Sequence, residues 1–235
     1  MRKNNYFGLF CEFNIENVDC LIKNAIVDKI PAYVCSLDMT NFSLSQVNDD
    51  HLELLNNSLV NNIDSFWLPK IVNILYSTKY SNYCGTDLFI NYVKKRKYRQ
   101  FFLGSDEDIL RKLKINLSKY DHEISNMSFL PLPFKSSYKD FDFNEIASVI
   151  NIDKPDIIWV SLGAPKQELF MSELVKHINY GVMFGFGYIF NVYSGTPRAP
   201  LFVRKIGLEW FYRFLQAPTK QFVRLKLIFI VVAKI

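Results

Sequence analysis

The chain has 235 residues, of which 49% are hydrophobic and 16% aromatic, and its net charge is +5. That is enough for one folded domain with a sizeable core, and it excludes a disordered chain. No apolar run reaches the roughly 18 residues of a membrane span, and MRKNNYFGLFCEF lacks the sustained apolar stretch and small-residue cleavage site of a signal peptide.

In chain order, the first 30 residues read as strand and helix pieces, with NVDCLIKNAIVDKI a helix. AYVCSLD is a short buried strand ending in polar residues. SLSQVNDDHLELLNNSLVNN reads as helical throughout. GTDLFINYVKKRK is a helix with a basic C-terminal end. RQFFLGSDEDILRKLKINL reads as strand, glycine, then a helix capped by Ser105. Its acids Asp106, Glu107 and Asp108 have the spacing of a metal-binding DxD, but acids in a first helical turn are favoured by the helix dipole and explain the stretch better. SYKDFDFNEIASVINID is a further helix, DIIWVSLG a strand, PKQELFMSELVKHI a helix and YGVMFGFG a strand.

The middle of the chain therefore alternates strand and helix. This predicts an α/β fold with a mainly parallel sheet flanked by helices, in Rossmann-like layers. Ligands bind such sheets at the carboxyl ends of strands, and three loops qualify: SLDMTN, GSDED and GAPKQE. In the last, Gly163 permits close backbone approach or a positive φ, and Pro165 fits the first helical position. The N–H groups beyond it would form an anion site to which Lys166 adds charge. Gln167 can donate and accept toward hydroxyls, and Glu168 is either a cap or a ligand to hydroxyls. Ordinary helix capping explains the same residues without function. Gly185 and Gly187 end a strand, but the GxG is not completed as a dinucleotide fingerprint.

The tail carries the basic charge. From Arg198 to Ile235 eight Lys/Arg face one acid, Glu209, giving +7 and leaving −2 for residues 1–197. Leu208, Phe211, Tyr212 and Leu215 share a helical face, with Arg213 off it. The stretch from Phe222 onward is apolar with basic punctuation, which suits an interfacial helix on an anionic membrane, with Trp210 at headgroup level. A core helix would read the same way, and charge alone would allow nucleic acid; against the latter, the aliphatic run IFIVV argues for lipid or protein contact. The division expected is an α/β domain over 1–197 and a membrane-associating appendage over 198–235. Cys11, Cys20, Cys35 and Cys84 are scattered and read as thiols in a reducing compartment. The three histidines form no metal-binding pair.

Taken in order, GAPKQE, GFGYIFNVYSG, RAP and GLEWFYR resemble the WecG/TagA/CpsF family of bacterial glycosyltransferases, glycosyltransferase family 26, with GTDLF and FFLGS resembling two further family blocks. The resemblance implies inverting transfer of an N-acetylhexosamine-type sugar from a UDP-sugar to a polyprenyl-diphosphate-linked acceptor. The setting would be the cytoplasmic face of the cell membrane, in teichoic acid, common antigen or capsule synthesis. It implies no cofactor beyond the UDP-sugar as donor substrate, no metal and no nucleic-acid partner; a second copy of the chain is compatible with it. Carried onto this sequence, the substrate-binding residues are Ser36, Asp87, Gly104, Gly163, Lys166, Gln167, Glu168 and Gly187, with Arg198, Arg213 and Arg224 facing diphosphate or lipid headgroups.

The sequence departs from the family pattern at several places. Ser36-Leu37-Asp38 stands for a Thr-x-Asn block. Asn191 stands where the family often has Asp, and Asn82 near where it often has Arg. The family's Asp-Gly pair, whose Asp is the proposed general base, has no counterpart; NNIDSFWLPKIVNIL places either Lys70 or Asp64 there. An inverting transfer needs a group to take the acceptor hydroxyl's proton, so Asp64 and Asp38 are the catalytic candidates. A catalytically silent relative that binds a lipid-linked intermediate or a partner enzyme is the alternative.

Overall fold

The structure is a computed structural model that describes residues 4–81, 85–216 and 218–233, the side chains of Thr86, Thr219 and Lys220 excepted. Among these residues one eight-stranded sheet forms the centre of an α/β fold. Its strands are β1 (Asn4–Tyr6), β2 (Leu9–Glu12), β3 (Ala32–Leu37), β4 (Val60–Ile63), β5 (Gln100–Gly104), β6 (Ser128–Leu130), β7 (Ile157–Ser161) and β8 (Val182–Gly185), in the order β1-β2-β4-β3-β8-β7-β5-β6. Only the β1–β2 pair is antiparallel. β3, β4, β5, β7 and β8 are buried along their whole length, as parallel strands covered on both faces must be.

Side chains alternate between two cores. Tyr33, Cys35 and Leu37 of β3, Ile158 and Val160 of β7, and Met183 of β8 point to one face. There they meet α2 (Met39–Ser45), α3 (Asp49–Asn56), α4 (Leu68–Tyr76), α7 (Phe143–Asp153) and α8 (Lys166–Leu174). Ala32, Val34, Trp159 and Phe184 point to the other, toward α1 (Ile15–Val27), α5 (Gly85–Lys94), α6 (Glu107–Leu117) and α9 (Ile189–Ser194). Trp159 is fully buried and donates from Nε1 to Gln100 Oε1 at 2.7 Å, so its polar edge is satisfied inside the apolar layer.

Three expectations are corrected. The helix expected over 43–62 is α2, then α3 capped by Asn48, then strand β4. The residues VNNI do not look like a strand because Asn61 and Asn62 are polar, yet both are fully buried. Asn61 is satisfied at long range, donating to Phe10 O and Leu55 O at 2.9 Å each. Ser105 does not cap α6: it adopts φ 65°, and the cap is Asp106, which accepts from Ile109 N. Pro165 precedes α8 as its cap residue, after a cis Ala164–Pro165 bond, rather than filling its first turn. Asp108 pairs with Arg111 and Lys112, in keeping with a solvated first turn rather than a metal motif.

The adjacent central strands β3 and β8 send their following helices to opposite faces: α2 leaves on one side through Phe42, α9 on the other through Ile189 and Phe190. On α/β sheets a crevice at such a switch point, above the carboxyl ends of the strands, is the usual ligand site. After β8 and α9 the chain continues through α10 (Leu201–Lys205), α11 (Glu209–Gln216) and α12 (Pro218–Val232). α12 returns across α2, where Val231 is buried and Leu227 packs on the core. The turn between α10 and α11 is held against the start of α4 by Trp67 Nε1, which donates to Gly207 O at 3.3 Å.

Candidate active site

Each wall of the crevice is a strand end. β3 supplies Ser36 and then Asp38, the N-cap of α2, whose Oδ1 accepts from Asn41 N at 2.8 Å. The residue after β4 is Asp64, and the structure places it and Lys70 differently. Lys70 is exposed on α4, with its Nζ 3.9 Å from the Phe66 ring centre, whereas Asp64 stands at the strand's carboxyl end. Asp64 Oδ1 accepts from Gly85 N at 2.8 Å, and its Oδ2 from Ser36 Oγ at 3.1 Å. Gly85 opens α5, so a helix N-terminus faces the carboxylate, a favourable dipole arrangement. A Cβ on Gly85 would lie 2.7 Å from the Phe186 ring and 2.9 Å from Asp64 Oδ2, which explains glycine in the GTD stretch. Asp87, in the first turn of α5, is exposed. Asn82 lies outside the described residues, as does Cys84.

The GAPKQE loop is the opposite wall, and its polar residues face inward more than expected. Gln167 is 4% exposed and Glu168 0%. Gln167 Nε2 donates to Gly185 O at 3.1 Å and to Glu168 Oε1 at 2.9 Å, and its Oε1 accepts from Gly163 N at 3.2 Å. Both amide hydrogens are thus committed within the protein, so Gln167 braces the loop instead of presenting its amide to the cleft. Gly163 has φ 79°, as expected, with open space where a Cβ would be. Gly187 is needed for contact: its Cβ would lie 2.8 Å from Gly163 N. Gly104 (φ 94°) is likewise a packing glycine, its missing Cβ 2.9 Å from Ser161 O. Lys166 turns outward: its Nζ donates to Lys135 O at 2.8 Å and lies 4.9 Å from the Phe134 ring centre. At the start of α8, Gln167 N is already bonded to Gly163 O at 3.0 Å, so the expected anion site there is partly filled by the chain itself.

The C-terminal helices complete the crevice. Arg224 of α12 donates from Nη2 to Ala164 O at 3.3 Å, at the GAPKQE loop. Arg213 of α11 stacks 4.0 Å from the Tyr188 ring centre, beside β8. Both act on Asp38: burial lifts its carboxyl above the usual range and the Asp64 charge adds to this, while the Asn41 N–H, Arg224 and Arg213 pull it down. Glu209 pairs with Arg213 at 3.0 Å and with Arg198 at 3.3 Å. Burial alone would raise Glu209, but the two arginines outweigh it and hold its carboxyl below the usual range. Asn191 is half-buried in α9.

The structure therefore gathers Ser36, Asp38, Asp64, Gly163, Gln167, Glu168, Gly187, Arg213 and Arg224, joins Arg198 to them through Glu209, and leaves Asp87 exposed on α5 and Lys166 turned to the neighbouring loop. Sequence reasoning missed Asn41 and Glu209. Asn41 Nδ2 donates to Ser36 O at 2.8 Å and to Glu168 Oε1 at 3.1 Å, and its Oδ1 lies 3.2 Å from His51 Nε2. Its place in the polar SLDMTN loop was the available signal; Glu209 was visible as the tail's lone acid.

Among the described residues no helix is long and apolar enough to cross a membrane. Residues 10–234 match the family described as Glycosyl transferase WecG/TagA/CpsF. The chain is 27% identical over 212 residues to an N-acetylglucosaminyldiphosphoundecaprenol N-acetyl-beta-D-mannosaminyltransferase of Bacillus subtilis (strain 168), covering 86% of this chain and 78% of that protein. It is 26% identical over 227 residues to a protein of the same name from Staphylococcus aureus (strain MW2), covering 94% and 85%. With a family match over residues 10–234, the chain belongs to the WecG/TagA/CpsF family of glycosyltransferases.

Proposed function

We propose that this glycosyltransferase moves an N-acetylhexosamine-type sugar from a UDP-sugar to a polyprenyl-diphosphate-linked acceptor, with inversion, at a membrane surface in cell-wall or capsule polymer synthesis. The observation that carries the reading is that Asp38 and Asp64 stand at the ends of neighbouring strands while Arg224, from the C-terminal helices, reaches the GAPKQE loop at Ala164 O. The names of the similar Bacillus and Staphylococcus proteins supply the acceptor class, a diphosphoundecaprenol-linked sugar.

In the proposed transfer the acceptor hydroxyl oxygen attacks the anomeric carbon of the donor. Its proton passes to a carboxylate, the bond from that carbon to the diphosphate oxygen breaks, and UDP leaves with the electron pair. Asp64 is the better base. Each of its oxygens receives one donor, which fixes the carboxylate while leaving lone pairs for the incoming proton. Asp38 has one oxygen committed to capping α2 and lies in the field of the two arginines, a role in holding them. Arg213 and Arg224 neutralise the charge that grows on the leaving diphosphate.

The tail supports docking at the bilayer. Phe202, Leu215 and Phe222 are 68%, 65% and 63% exposed, beside exposed Lys205 and Lys226. Apolar side chains next to cations suit the headgroup boundary of an anionic membrane.

The test is incubation with UDP-N-acetylhexosamines, a polyprenyl-diphosphate-linked N-acetylglucosamine and anionic vesicles, with UDP release and lipid-linked disaccharide as readouts. Stoichiometric formation of both supports the reading. No transfer together with no UDP binding overturns it.

A further inference from the structure

The transfer outlined above gives no task to Glu168, although it sits at the centre of the crevice's hydrogen bonding. Its carboxyl group is completely buried in the first turn of α8. Oε1 receives two donors, Gln167 Nε2 at 2.9 Å and Asn41 Nδ2 at 3.1 Å, while Oε2 has no hydrogen-bond partner among the described residues.

Each donor has a second engagement. Asn41 Nδ2 also reaches Ser36 O, its backbone N–H caps into Asp38, and its Oδ1 meets His51. Gln167 Nε2 also reaches Gly185 O, and its Oε1 holds Gly163 N. One carboxyl oxygen thus joins the α2 side of the crevice, with Ser36 and Asp38, to the α8 side, with Gly163 and Gly185.

The groups facing Glu168 from neighbouring elements are Cys35 on β3, Asp38 ahead of α2, Asn41 on α2 and Gln167 beside it, with His51 of α3 behind Asn41. The charge among them, Asp38, has the same sign, and its own balance includes Asp64, Arg213 and Arg224. An ionised oxygen buried with no donor is far costlier than a neutral hydroxyl in the same place.

We infer that Glu168 is a positioning residue that works as a neutral acid, its Oε1 fixing the Asn41 and Gln167 amides and through them the Asp38 carboxylate and the Gly163 turn. Burial pushes its carboxyl up to about 7, against hydrogen bonds from Gln167 and Asn41 that pull it down. The inference rests on the crevice being the transfer site, and the assays separate the two.

Full-length wild type, Glu168→Gln and Glu168→Ala are compared. The first assay needs no substrate: thermal unfolding is followed from about pH 5 to about pH 9. Gln presents the same acceptor oxygen and has no acid proton to lose. Its midpoint should match wild type at the acid end and exceed it at the alkaline end, with titrations of Asp38 and His51 common to both chains. Parallel curves, or a Gln variant that is less stable at every pH, overturn the inference.

The second assay is sugar transfer near pH 6. Glu168→Gln should keep kcat within about threefold, and Glu168→Ala should lose about tenfold or more in kcat with little change in KM. Equal losses in Gln and Ala show that an ionised carboxylate is required and also overturn it. If wild type transfers no sugar, the function reading fails while the unfolding comparison still decides the state of Glu168.

Discussion

Asp64 and Asp38 differ in what surrounds them, and this separates their variants. Asp64→Asn keeps the size and the Ser36 and Gly85 neighbours but removes the proton acceptor. It should lower kcat by about 10²- to 10⁴-fold and leave UDP affinity nearly unchanged in a calorimetric titration. Asp38→Asn retains a good helix cap for α2, since Asn caps as well as Asp, so the fold should hold. What it loses is the charge facing Arg213 and Arg224, and donor KM should change more than for Asp64→Asn. Glu168 gives a pH prediction with a definite sign. Its carboxyl titrates near 7 in the folded chain against 4.5 as its ordinary value. The folded state therefore binds the extra proton between those values, and stability falls as pH rises through that window. The full loss, about 3 kcal/mol as an upper figure, is present above pH 7. Urea unfolding of wild type and Glu168→Gln at both ends of the window measures it.

Among the elements, the start of α5 and the α10–α12 segment do the positioning. Gly85 lets the helix N-terminus approach Asp64 Oδ1 to 2.8 Å. In Gly85→Ala the new methyl would meet the Phe186 ring and the Asp64 carboxylate at 2.7 and 2.9 Å, so α5 or Asp64 must shift. A misplacement of about 1 Å at a reacting group costs on the order of 10² in rate; kcat of Gly85→Ala should fall on that scale, with a midpoint of thermal unfolding reduced by only a few degrees. α6 and α8 were legible in the sequence because an apolar run ending at glycine, followed by a helical repeat, is a local signal. β4 was not, because Asn61 and Asn62 become strand residues only through partners such as Phe10 O and Leu55 O, which lie in other elements. The capping of α6 by Asp106 in place of Ser105 turned on a backbone φ of 65° at Ser105, which no spacing rule specifies.

For the whole molecule, the C-terminal helices serve two surfaces at once. Their inner side brings Arg213 and Arg224 to the crevice, and Val231 joins the core. Their outer side exposes Phe202, Leu215 and Phe222 beside Lys205 and Lys226. Vesicle sedimentation should show binding that needs anionic lipid and weakens with salt. Lys205→Glu with Lys226→Glu should weaken it by about thirtyfold or more, at roughly 1 kcal/mol per cation near the surface, while Phe222→Ser should weaken binding without altering its salt dependence. Equal binding to neutral and anionic vesicles would argue against this orientation.

The sequence by itself determined the alternation of strand and helix, the strand-end loops SLDMTN and GAPKQE, and the segregation of basic and aromatic residues into the tail. These are local properties, set by side-chain period, glycine placement and composition. Only the tertiary structure decided that β8 lies beside β3, and hence that Asp38 and Asp64 share a crevice with Gln167 and Glu168. It alone turned Gln167 inward and Lys166 outward, and brought Arg224 to Ala164 O and Arg213 to the Tyr188 ring. Strand order and helix return are fixed by which buried faces fit together across the two cores. That long-range packing is what brings Asp64, Asp38 and the buried Glu168 together from places far apart in the chain.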